Sequence, residues 1–236
     1  MSHPLCQLQN VSSGYGLSTV LFDLSLHIER GECVCLLGRN GVGKSTTMRV
    51  IAGLNKADKG EVLFEGQSIR KISVDARSRK GIGLVPEDRR IFPDLTVLEN
   101  LQVCARAGVD GQHWTVERVF DLFPDLKPHV DRLGGLLSGG QQQMLTVGRT
   151  LVTNPRLLLL DEPSEGLAPI IVETLRQQIA ELKKTGLTIL LAEQSIEFSL
   201  SLSDRIYVLE KGHLRFEGTP EQFRADPSIQ EKYLFV

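Results

Sequence analysis

Nine residues, GRNGVGKST from Gly38 to Thr46, carry the first recognisable chemistry of this chain. Their spacing matches G-x-x-x-x-G-K-[ST], a loop whose small residues let backbone N–H groups converge on a phosphate chain. A helix beginning at the end of the loop adds its positive pole at the same point. In this reading Gly38, Arg39, Asn40, Gly41, Val42 and Gly43 wrap the phosphates of a nucleotide, and Lys44 reaches the β- and γ-phosphates. Ser45 enters the shell of a Mg²⁺ ion, and Thr46 closes the motif. The plain alternative is a glycine-rich turn with no ligand. The flanks argue against it, because CVCLL before the loop reads as a buried strand and TTMRVIAGL after it as a helix stopped at Gly53.

A second apolar run, RLLLLDEP, ends on Asp161 and Glu162. Mg²⁺ takes hard oxygen ligands and keeps several waters, which suits Asp161. Glu162, one residue on, would stand where an attacking water is oriented and deprotonated. The bland reading is a solvated acidic pair at a strand end. A third run, ILLAEQ, ends on Glu193 and Gln194. Beside the other two tips, Gln194 is expected to offer its amide to the γ-phosphate, with Glu193 as its solvated neighbour.

Three such tips need a scaffold that brings them to one edge. Near-continuous apolar runs at 33–37, 156–163, 187–194 and 205–212, with the helical stretch ETLRQQIAELKKTG between two of them, predict an α/β fold. Its sheet is mostly parallel and carries helices on both faces. Residues 5–30 alternate as half-buried strands closed by a turn at Arg30-Gly31, GEVLFEG (60–66) reads as an edge hairpin strand, and IGLVP (82–86) as a short strand. From about 94 to 153 the texture turns helical. The expected division is one domain, with a nucleotide-binding core lobe at 1–86 and 154–236 and an inserted helical lobe at 87–153.

At 236 residues and 41% hydrophobic, the chain can bury a substantial core. A net charge of −2 with interspersed signs offers no nucleic-acid surface. The longest apolar runs fall far short of the roughly 20 residues of a membrane span, and MSHPLCQLQN lacks the apolar stretch of a signal peptide. Cys6, Cys33, Cys35 and Cys104 form no CxxC pair, and Cys33 and Cys35 are spaced to share one strand face as small core residues. A cytosolic globular chain is expected.

Between the first two motifs stands LSGGQQQMLTVGRTLVTNPR (137–156). Ser138 is a good N-cap, and Gly139 and Gly140 leave backbone N–H groups open at a helix start. This is a second anion-binding terminus in a chain that already has one. Where the two lie far apart, one triphosphate reaches both only in a dimer, the terminus of one subunit closing over ATP held by the other.

Together, GRNGVGKST, LSGGQ, LLLLDEP and the helical insert resemble the ATP-binding subunit of ABC transporters, over essentially the whole chain. The resemblance implies an ATPase with a P-loop core, an antiparallel β subdomain and an inserted helical subdomain. It implies head-to-tail dimers in which Leu137, Ser138, Gly139, Gly140 and Gln141 face the partner's ATP. It matches Tyr15 to the residue that stacks on adenine, and Glu87 to the position whose usual glutamine touches Mg²⁺ and senses the membrane subunits. Gln194 takes the position of the usual histidine, and Ala168 that of an aspartate that signals across the dimer.

These departures, with VPEDRRIFPDLTVLENL and the tail FRADPSIQEKYLFV, are similar to the second ATP-binding subunit of branched-chain amino-acid uptake systems. That likeness implies a homodimer, or a heterodimer with a sibling ATPase, on the cytoplasmic side of a bacterial inner membrane. Its partners would be two permease subunits fed by a periplasmic solute-binding protein. Residues 87–100, with Ile91, Phe92, Leu95 and Leu98, are expected at the permease contact. Arg89 and Arg90 would offset the charge of Glu87. Urea or another small solute is the nearest alternative cargo. A soluble ABC ATPase without membrane partner is a rival of another class, as is a P-loop kinase or GTPase, against which the absence of N-K-x-D and the presence of LSGGQ both speak.

Overall fold

A computed structural model describes residues 3–108 and 114–234. Part of the 87–153 segment, at 109–113, and the last two residues of the tail lie outside the described residues. Along the chain, a hairpin of β1 (Cys6–Tyr15) and β2 (Ser18–Ile28) leads into β3 (Cys33–Leu37) and helix α1 (Lys44–Ala52). Next come β4 (Lys59–Phe64), the two-residue β5 (Gln67–Ser68), α2 (Val74–Arg79) and β6 (Ile82–Val85). Three helices follow, α3 (Val97–Gln102), α4 (Val116–Leu122) and α5 (Gly139–Leu151), with two 3₁₀ turns between the last two. Then β7 (Leu157–Asp161), α6 (Pro169–Lys184), β8 (Thr188–Glu193), α7 (Ile196–Leu202) and β9 (Arg205–Glu210) alternate. The chain closes with β10 (His213–Gly218), α8 (Pro220–Ala225) and α9 (Pro227–Tyr233).

Two sheets form. The first is antiparallel in the order β2-β1-β4-β5, and the second runs β10-β9-β3-β8-β7-β6. From β9 to β6 every neighbour pair of the second sheet is parallel, and β10 joins antiparallel as a hairpin on β9. Consequently β3, β7 and β8 all end at the same edge, where the loop after β3 begins. The expected edge strand at 60–66 is β4, and it lies inside its sheet, between β1 and β5. Pairing partners, unlike periodicity, are set by the tertiary fold.

Strand alternation divides the core in two. Cys33, Cys35, Leu158, Leu160, Ile189 and Leu191 face one apolar cluster, shared with α5 and α6. Val34, Leu36, Leu157, Leu159 and Leu190 face the other, shared with α1 and the antiparallel sheet. A strand covered on both sides must be apolar at every position, which is why these strands read as unbroken runs. All four cysteines are free, and Cys33 and Cys35 share a face as expected.

Candidate nucleotide site and the second helix terminus

The loop from Gly38 to Gly43 is pinned at both ends. Gly38 N–H donates to Glu193 O on β8 at 3.3 Å, and Gly212 N–H donates to Val42 O at 2.9 Å. Gly43 sits at φ +111°, a conformation that excludes most side chains, and a Cβ there would lie 2.6 Å from Leu21 Cδ2. Helix α1 starts at Lys44 with no side-chain cap, so its first N–H groups stay available to an anion.

Lys44 is 3% exposed. Its Nζ donates to Gly38 O at 2.8 Å and Arg39 O at 3.0 Å, and lies 3.0 Å from Glu162 Oε1. Next to it, Ser45 Oγ donates to Asp161 Oδ1 at 2.9 Å. Residues separated by more than a hundred positions thus meet because β3 and β7 flank β8. Asp161 is buried, and burial pushes its carboxyl up to about 6. The Ser45 hydroxyl opposes this shift, while the negative charges of Glu162 and Glu87 add to it. Two hard oxygens and surplus negative charge beside a phosphate loop fit Mg²⁺, which binds through few protein ligands plus phosphates and water. Burial also raises Glu162, but a hydrogen bond from Glu165 and the Lys44 ammonium outweigh it, and the net shift is downward. The interaction with Glu162, then burial, pushes Glu165 up to about 7, so the two carboxyl groups titrate as a pair. Glu162 holds φ +46°, a left-handed conformation that stores strain.

Tyr15 is 45% exposed, beside the loop rather than in a core. Its hydroxyl lies 3.5 Å from Thr46 Oγ1 and accepts from Arg49 Nη1 at 3.3 Å. Glu87 is exposed in the turn after β6, linked to Asp161 by charge rather than contact. Arg90 does not offset it: its Nε pairs with Asp88 at 2.8 Å. Arg89 instead reaches toward the start of α5, where a Cβ on Gly139 would lie 3.0 Å from Arg89 Nη1.

The third strand tip corrects the sequence reading. Glu193 is not solvated but 2% exposed, and Ser164 N–H and Gln194 N–H donate to its carboxylate, each at 3.2 Å. Burial raises its pKa. It steadies the turn that follows Glu162. Gln194 is the exposed one, and shares a cavity of about 520 Å³ with Arg39, Asn40, Gly41 and Val42. Alternation held the signal, since Ile189, Leu191 and Glu193 occupy one face of β8.

The start of α5 is built differently. Ser138 Oγ accepts from Gln141 N at 3.3 Å while Gln141 Oε1 accepts from Ser138 N at 3.0 Å, a capping box. Leu137 is buried and Ser138 exposed. Gly140 has no room for a side chain, because a Cβ would lie 2.7 Å from Ile171 Cγ2 on α6. Among the described residues, no side-chain hydrogen bond or ion pair joins 137–141 to 38–46.

A phosphate loop, a buried lysine and strand-tip carboxylates on one parallel edge define a P-loop ATPase, here with an antiparallel sheet and an inserted helical subdomain. The ABC transporter family model matches residues 21–165, and the chain belongs to that family, as a transporter ATP-binding subunit. It is 40% identical over 234 residues to the high-affinity branched-chain amino acid transport ATP-binding protein BraG of Pseudomonas aeruginosa, covering 98% of this chain and 99% of BraG. It is 34% identical to the lipopolysaccharide export system ATP-binding protein LptB of Haemophilus influenzae, covering 96% and 95%. Among solved structures, the dimeric cassette MJ0796, in a post-hydrolysis state with ADP and Pi, superposes with a TM-score of 0.78 at 27% identity, over 91% of this chain and 98% of that one.

Proposed function

We propose that this ATPase is the motor subunit of an importer for branched-chain or other hydrophobic amino acids. The observation that carries the motor role is the pairing of Lys44 with Glu162 at 3.0 Å and of the adjacent Ser45 with Asp161 at 2.9 Å. The loop Gly38–Thr46 binds the triphosphate, and Lys44 exchanges its two carbonyl partners for phosphate oxygens. Ser45 and Asp161 would hold Mg²⁺, with Glu87 near its outer shell; when bound, the ion neutralises phosphate charge. Glu162, released from its bond to Lys44, accepts the proton of the attacking water, and Gln194 donates its amide to a γ-phosphate oxygen. Tyr15 offers its exposed ring to adenine.

The helix start at Leu137–Gln141 completes the site of a second cassette, a copy of this chain or a sibling, in a head-to-tail dimer. The dimeric state of the MJ0796 cassette supports a dimer. A groove of about 280 Å³ between Leu54, Val74, Phe92, Cys104 and Arg149 is the docking place for the permease. Phe92 is exposed there, with the Arg149 guanidinium 4.7 Å from its ring, whereas Ile91 and Leu98 pack against the helical core. No helix of the described residues is long and apolar enough to cross a membrane. In this reading the subunit works peripherally, beneath two permeases on the cytoplasmic face. A solute-binding protein would reach it only through those permeases.

The whole-length likeness to BraG supports amino-acid cargo, and the likeness to LptB supports export of a lipid as the second reading. Co-purification from detergent-solubilised membranes decides between them. Permeases whose reconstituted ATPase is stimulated by a leucine-loaded binding protein support uptake. A complex stimulated by lipopolysaccharide overturns it, and a chain that co-purifies with no membrane subunit overturns both.

A further inference from the structure

Along the parallel edge β7, β8, β3 and β9 lie side by side, so Glu162, Gln194, the phosphate loop and the β9–β10 turn follow one another in that order. Charge changes sign along this row. At the β7 end the charge of Glu162 bears on both Asp161 and Glu165. Past Gln194, the cavity of about 520 Å³ carries Arg39, Lys211 and Lys232 on its wall. Among the described residues no ion pair engages these three, and Lys232 lies over the ring of its own neighbour Tyr233 at 5.1 Å. The carboxylate in that wall, Glu210, is held by Arg215 at 3.0 Å.

Three elements fix the cations against the loop. The carbonyl of Arg39 accepts from Lys44 Nζ at 3.0 Å, so this residue borders the nucleotide side and the cavity at once. The turn carrying Lys211 is tied to the loop by Gly212 N–H donating to Val42 O at 2.9 Å. Tyr233 packs against the core shared with α5 and α6, which holds α9 and Lys232 at the cavity. Cleavage of ATP leaves inorganic phosphate, a multiply charged anion, between carboxylates on one side and unpaired cations on the other. Such a field gives its departure a direction. At about 30 Å³ per water in the liquid, the cavity has room for the ion with part of its hydration shell.

We propose that the cavity walled by Arg39, Lys211 and Lys232 is a transient site for product phosphate, entered past Gln194. This exit rests on the reading above that Gln194 faces the γ-phosphate. The ion passes from the Gln194 amide to the three cations and then to solvent, while ADP still occupies the loop. Helix α9, remote in sequence from every nucleotide motif, lines the way out.

The test uses the full chain with Mg-ATP in a single turnover, cleavage being read by quenched flow and release by a fluorescent phosphate sensor. Lys211→Asn with Lys232→Ala is expected to slow release about tenfold while cleavage and ADP affinity stay unchanged. Asparagine is chosen because position 211 has φ +48°. Entry must follow the same route, so orthovanadate, a phosphate mimic, should trap the ADP-bound variant about tenfold more slowly but to the same final extent. That second readout works even where cleavage limits release. Lys232→Arg keeps the wild-type rates, and high salt narrows the gap between variant and wild type. Release and trapping indifferent to the lysines overturn the exit. So does a slowing shared by cleavage, which marks a general disturbance of the loop. Inhibition by added phosphate that the variant relieves, with release unchanged, makes the cavity a regulatory site and also overturns it. Gln194→Ala separates the two readings: an unchanged cleavage rate removes the role of Gln194 on which the exit rests, whereas slowed cleavage with lysine-independent release removes the exit alone.

Discussion

The loop around Lys44 and the helix start at Ser138 are both proposed to receive phosphate, yet they are constructed on opposite principles. The first is buried and charged: Lys44 is held against Glu162, and the neighbouring Ser45 against Asp161, within one subunit. The second is exposed and neutral, with its cap donors satisfied by its own Ser138 and Gln141. The first stores unfavourable burial that a ligand relieves, whereas the second is stable alone and acquires a role only when an anion is brought to it. On the proposed head-to-tail arrangement, a site divided this way does not run its chemistry in isolated subunits, although each subunit holds the side chains proposed to react.

That contrast can be broken experimentally. The largest effect is expected at Glu162: Glu162→Gln lowers single-turnover ATP cleavage by about a hundredfold to a thousandfold, and a near-wild-type rate would remove its role as base. Next, Asp161→Asn separates function from stability. The native Asp161 carboxyl holds its proton to higher pH than the unfolded chain does, so its contribution to stability falls as pH rises from 3.8 to about 6 and stays low above. Without nucleotide at pH 7.5 the asparagine variant should gain on the order of 2 kcal/mol in denaturant unfolding, while hydrolysis is lost. No gain would mean that the charged cluster is not stored burial.

Smaller effects sharpen the other half. Gly140→Ala drives a methyl into Ile171 and should reduce steady-state hydrolysis about tenfold with monomer ATP affinity unchanged. A matching loss of affinity would show that the helix start serves its own subunit and would dissolve the contrast. Gln194→Ala, at an exposed tip, should slow cleavage about fivefold by removing one hydrogen bond to phosphate; an unchanged rate assigns it no part in the chemistry.

What could be read in advance followed from local rules. The phosphate loop, the DEP tip and the capped helix at Ser138 need only spacing and element type. Other features needed the fold: β4 became an interior strand because β5 pairs with it, and Arg90 turned to Asp88 instead of Glu87. Glu193 was misread because the apolar run of β8 stops before the strand does, and the register pairing Leu37 with Glu193 keeps that carboxylate inside. The coupling of Glu162 with Glu165 depends on a loop conformation that no periodicity encodes.

The central place of β3 also governs how the protein is made. Its hydrogen-bonded neighbours, β8 and β9, lie about 155 and about 170 residues downstream, and at about 5–20 residues per second a ribosome takes roughly ten to thirty seconds to supply them. During that interval the phosphate loop exists as sequence but not as a receptor, with neither Glu193 nor Gly212 to anchor it. ATP cannot help this chain fold until nearly all of it has been synthesised, and the nascent CVCLL segment must be shielded by something other than its eventual ligand.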